Sequence, residues 1–95
     1  MKVNVKFFAL VREITGKREE SFDLDEKATV RTLLERLVGE YGVRFKDYVF
    51  NPNSSQPRGH IQFLIDGRNV ALMKGLDTIL TEGCSFAILP PVGGG

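Results

Sequence analysis

The segment KVNVKFF alternates, with Val3, Val5 and Phe7 on one side of an extended chain and Lys2, Asn4 and Lys6 on the other. A period of two with one apolar side predicts a strand with one buried face. The charged residues around Gly16 predict a turn, and ESFDL then returns with Phe22 and Leu24 on one side. These two runs are expected to form an antiparallel hairpin whose connection is longer than a tight turn. At ATVRTLLERLVGEYG the period changes. Val30, Leu33, Leu34, Leu37, Val38 and Tyr41 fall at helical spacing and make one apolar stripe. Thr29 is placed to cap that helix, because its hydroxyl can accept a first-turn N–H, and Gly42 stands where a helix commonly ends left-handed. Gly39, inside the pattern, weakens it by about 1 kcal/mol relative to Ala.

The segment RFKDYVF fits either a short helical turn or a strand fragment, and NPNSSQPRG is a loop by composition. Alternation resumes through Ile61, Phe63 and Ile65, and Asp66-Gly67 signals a hairpin leading into a short return strand. A turn follows at Gly75. The last strand is CSFAILPPV, with Phe86 and Ile88 on one face and Ala87 and Leu89 on the other. Pro90 and Pro91 have no N–H to donate to a ladder, so pairing is expected to stop there. One amphipathic helix packed on one mixed sheet of about five strands satisfies every apolar face, which makes the class α+β. With the last strand placed centrally and parallel to the first, the arrangement is the ubiquitin-like β-grasp.

Length and composition then narrow the function. Ninety-five residues fit one domain, expected over 1–89, with 90–95 as an extended tail. A formal net charge of +1 gives no general attraction to nucleic acid or to an anionic membrane. The apolar stretch from Phe7 to Val11 is too short for a signal-peptide core, so a cytoplasmic location is expected. Cys84 is the single cysteine and can form no internal disulfide; a structural thiol is a simpler reading than a nucleophile. His60, the single histidine, adjoins a glycine and reads as a surface residue. Glu19-Glu20 falls in the predicted turn, where solvation accounts for it. No metal-ligand spacing, phosphate loop or dinucleotide fingerprint is present, so an autonomous active site is not expected. The side chains describe a binding or carrier module.

The C-terminal PPVGGG points to the chemistry. A glycine run is ordinarily only a flexible end, but here it follows a strand and two prolines directly, with Val92 apolar outside the core and a free carboxylate expected on Gly95. Pro-Pro favours an extended backbone and lowers the entropy lost on capture. From Pro90 to Gly95 the reach is on the order of 20 Å at about 3.3 Å per residue. Glycines pass channels too narrow for any other residue.

On FFALVRE, TVRTLLERL, IDGRNV, GLDTILTEG and ILPPVGGG, which span nearly the whole chain, the sequence resembles the small subunits of molybdopterin synthase, ubiquitin-like sulfur carriers. The resemblance implies that a ubiquitin-activating-type enzyme adenylates Gly95 with ATP and that a thiocarboxylate then forms on it. The loaded tail would enter the large synthase subunit and give up sulfur to a pterin precursor. Gly94 and Gly95 match the family's terminal pair, Pro90, Pro91 and Val92 its anchor, with Gly93 where many relatives carry a larger residue. Leu89 matches an apolar position that meets the partners, and no bound cofactor or metal is implied. Cys84 replaces the usual acidic residue after a glycine and is read as tolerated surface variation. Two other functions share the tail chemistry: a thiamin-pathway sulfur carrier and a ubiquitin-like modifier joined through Gly95 to lysines.

Overall fold

The computed structural model describes residues 1–90. Its strands are β1 (Lys2–Phe7), β2 (Glu19–Asp23), β3 (Gln62–Ile65), β4 (Arg68–Asn69) and β5 (Ser85–Leu89). The helices are α1 (Ala9–Thr15), α2 (Val30–Tyr41) and α3 (Val43–Val49), and two 3-10 turns cover Val70–Leu72 and Gly75–Asp77. The sheet order is β2-β1-β5-β3-β4. β5 runs parallel to β1, with Val5 opposite Phe86 and Phe7 opposite Ile88, and antiparallel to β3, with Phe63 opposite Ile88. This is the predicted α+β mixed sheet, with the last strand central and α2 as the main helix.

Alternation decides which face is buried. Val3, Val5, Phe7, Phe22, Phe63, Ile65, Phe86 and Ile88 all turn inward beneath Val30, Leu33, Leu34 and Leu37 of α2. Phe63 and Phe86 stack at 5.7 Å, and the Phe7 ring meets Tyr41 edge-on at 5.9 Å. Thr29 caps α2 as expected, within a reciprocal capping box: Thr32 N–H donates to Thr29 Oγ1 at 3.3 Å, and Thr29 N–H donates to Thr32 Oγ1 at 3.2 Å. Asp66 (φ 49°) and Gly67 (φ 85°) both take positive φ, the geometry of the tight hairpin turn that matches strand twist.

Two expectations change, and one open reading is decided. The β1–β2 connection is not an open turn: it contains α1, which buries Val11 and closes on Gly16 with φ 74°. In RFKDYVF the helical alternative holds for residues 44–49, which lie in α3, because Phe45 and Val49 at i and i+4 both reach the core; Phe50 is extended beyond the helix end. Glu19 and Glu20 belong to β2 rather than to a turn, opposite Lys6 and Val5.

Candidate functional site

The strand that leads to the tail is paired on both sides, so its outward residues have fixed neighbours. Ala87 lies between Lys6 of β1 and Leu64 of β3, and Leu89 lies opposite Gln62. One residue beyond the Phe7–Ile88 pair stand Phe8 and Leu89. Phe8, Leu64, Ala87, Leu89 and Pro90 are each half-buried. They form an apolar strip on a face that otherwise presents exposed Lys2, Lys6, Glu19, Ser21 and Gln62. A half-buried apolar strip rimmed by polar groups at a strand end suits protein–protein contact.

Arg12 of α1 is anchored at the same edge. Its Nε donates to the Phe7 carbonyl at 3.3 Å, and its guanidinium lies 6.0 Å from the centre of the Phe8 ring. It has no carboxylate within salt-bridge distance among the described residues. A fixed cation therefore stands beside the end of β5, close to where the tail departs.

Leu89 and Pro90 are thus brought together with neighbours to which the sequence reading gave no functional role: Phe8, Arg12, Leu64 and Ala87. The available signal was the outward half of each alternation, where apolar Leu64 and Ala87 take positions that water would ordinarily fill with polar side chains. Pro91, Val92, Gly93, Gly94 and Gly95 lie outside the described residues.

The other candidate groups fall elsewhere. His60 is exposed in the loop before β3. Cys84 is buried against the core at the start of β5, which corrects its reading as surface variation: an apolar thiol fills a position under the sheet. Glu20 is not merely solvated. It accepts a hydrogen bond from the Tyr41 hydroxyl and an ion pair from Lys17 Nζ at 3.1 Å. Partial burial pushes the Glu20 carboxyl up, but the bonds from Tyr41 and Lys17 outweigh it and hold the group below its ordinary range. Burial and the bond to Glu20 raise Tyr41, and the bonds to Glu20 and Tyr41 raise Lys17. This cluster ties β2 to the end of α2 and contributes nothing to the strip. Among the described residues no group of three or more His, Cys, Asp or Glu side chains is placed to hold a metal ion, and no helix is long and apolar enough to cross a membrane.

The family model that matches the chain, over residues 5–95, is that of the ThiS family. The chain belongs to the ThiS family. Similarity to characterised members extends over the full length. It is 32% identical over 99 residues to the small archaeal modifier protein 3 of Haloferax volcanii, covering 100% of both chains. It is 31% identical over 97 residues to the molybdopterin synthase sulfur carrier subunit of Drosophila erecta, covering 100% of this chain and 92% of that one. The crystal structure of small archaeal modifier protein 1 from Haloferax volcanii superposes with a TM-score of 0.82 at 31% identity, covering 100% of each chain. This ThiS-family chain is therefore a ubiquitin-like β-grasp protein of the sulfur carrier and modifier group.

Proposed function

We propose that this ThiS-family protein acts through Gly95 as a ubiquitin-like modifier, and that the same activated carboxyl also serves sulfur transfer. The observation that carries the first part is the end-to-end likeness, at 32% identity, to a protein named as an archaeal modifier. The sequence alone put the pterin pathway first; the relatives move protein modification ahead of it. The geometry is consistent with both uses, because each needs a rigid strand end, an apolar strip for the partner and a slender tail.

The chemistry begins at an adenylating enzyme. The Gly95 carboxylate attacks the α-phosphate of ATP, pyrophosphate leaves, and an acyl-adenylate results. Attack by a lysine amine displaces AMP and, with loss of a proton, gives an isopeptide. Attack by hydrosulfide instead displaces AMP and, with loss of a proton, gives a thiocarboxylate; a persulfide donor first gives an acyl disulfide, which a second thiol cleaves to the thiocarboxylate while leaving as a disulfide with the donor. The strip of Phe8, Leu64, Ala87 and Leu89 would seat the enzyme, and Pro90, Pro91, Val92, Gly93 and Gly94 would thread its channel. Pterin sulfuration remains the second reading, favoured by the likeness to the Drosophila sulfur carrier subunit, and it adds a large synthase subunit as partner.

Intact-mass spectrometry tests this directly. The protein is incubated with ATP, its adenylating enzyme and either a lysine-bearing acceptor protein or a sulfur donor. An isopeptide-linked species supports modification, and a gain equal to replacing one oxygen by sulfur on Gly95 supports transfer. A variant carrying one extra residue after Gly95 should do neither while keeping its melting temperature. Activity of that variant with the extra residue still in place would refute the assignment to Gly95.

A further inference from the structure

On the helical side of the molecule a groove of about 280 Å³ opens between α2, the end of α3 and the second 3-10 turn. Leu34 and Val38 of α2, Phe50 after α3 and Leu76 of the turn are its apolar lining. Arg31 and Lys46 flank the lining, and neither lies within salt-bridge distance of a carboxylate among the described residues. Glu35 is the single acid at the rim. An apolar trough with two unpaired cations at its edge is complementary to an apolar segment that carries negative charge.

The groove and the strip lie on opposite sides of the sheet. Phe63, Ile65, Phe86 and Ile88 face the core beneath α2, whereas Leu64, Ala87 and Leu89 alternate to the other face. A protein in the groove would leave the strip and the strand end uncovered.

We propose that this groove is a second docking site, and that it takes an acidic amphipathic helix of a partner protein. Two apolar side chains one helical turn apart would lie over the partly buried Val38, Phe50 and Leu76, with the fully buried Leu34 as the floor beneath, while flanking carboxylates would meet Arg31 and Lys46. Such a partner reads the folded body independently of the tail, so it can hold the protein before, during or after Gly95 reacts.

The test uses the full chain, labelled with ¹⁵N, and two synthetic helical peptides with identical leucine spacing. One carries glutamate and the other lysine at every remaining position. The acidic peptide is expected to shift amide resonances around Leu34, Val38, Phe50 and Leu76, leave those of Leu64 and Ala87 unmoved, and bind about tenfold more tightly than the basic one. The double variant Arg31→Glu, Lys46→Glu changes only rim charges and should keep the wild-type melting temperature. It should reverse the preference between the peptides. Equal binding of both peptides, shifts confined to the sheet face, or a preference unchanged in the double variant would each overturn the proposal. So would sedimentation showing that the groove is closed by a second copy of the chain.

Discussion

Replacing Tyr41 by Phe isolates one bond of the Lys17–Glu20–Tyr41 cluster. The ring and its edge contact with Phe7 remain, and only the hydroxyl that donates to Glu20 is lost. A hydrogen bond to a charged group contributes about 1.5–3 kcal/mol. Tyr41 and Glu20 are each only half-buried, which places this bond at the lower end, about 1.5 kcal/mol. For a domain of this size that corresponds to a fall in melting temperature of about 6–12 °C. The pH dependence follows from the direction of the Glu20 shift. Its folded-state pKa is held below the ordinary value, so its contribution is present above the unfolded value of about 4.3 and is lost as pH falls through the folded value. Without the Tyr41 hydroxyl the burial cost is less well offset and the folded pKa rises. The gap between wild type and Tyr41→Phe should therefore be full at neutral pH and narrow in acid, where only a neutral hydrogen bond is left to lose. Urea unfolding at pH 7 and at pH 3, run on Tyr41→Phe, Glu20→Gln and the double variant, gives both quantities. Two variants that simply add at pH 7, or a gap identical at the two pH values, would refute the coupling.

Leu89→Asp places a charge on the apolar strip but not in the core, because Leu89 is half-buried on the outward face of β5. It should cost no more than about 1 kcal/mol of stability and suppress adenylation, read as ATP–pyrophosphate exchange. A large drop in melting temperature with normal exchange would reverse the face assignment. Gly42 joins α2 to α3 at φ 79° and ψ −156°, a region reached almost only by glycine, and a Cβ there would meet no atom within 4 Å. Gly42→Ala should therefore lose about 1–3 kcal/mol through backbone strain alone, and calorimetry showing a loss below about 0.5 kcal/mol would refute that reading.

Elements with enough residues to display a period were legible in advance. Val3, Val5 and Phe7 spaced by two, and Val30 to Tyr41 spaced at helical intervals, each repeat their signal several times, and tertiary packing reinforces what the pattern implies. α1 escaped notice because seven residues give fewer than two turns and only Val11 is buried, so period and burial are each sampled once or twice. The burial of Cys84 was legible in the alternation, because Cys84, Phe86 and Ile88 fall at period two on one face; it was missed because Cys84 was weighed as the replacement of an acidic residue and not as part of that face. The bond between Glu20 and Tyr41 joins residues 21 apart, and no local pattern announces it. At the candidate site the tail motif was readable as text, whereas the strip beside it needed the register of three strands. Leu64 and Ala87 become neighbours only when β5 enters between β1 and β3.

That central position of β5 has a mechanical consequence. Under the proposed function the protein is handled by its C-terminal end, and tension applied beyond Pro90 would load the axis of β5. The ladders to β1 and β3 run alongside that axis on both flanks. A pull toward the C-terminus therefore loads their hydrogen bonds together in shear, instead of opening them one after another as at a frayed edge. The body should resist extraction by force more stubbornly than its equilibrium stability alone implies. A machine that unfolds a tagged substrate would meet its highest barrier at the tag.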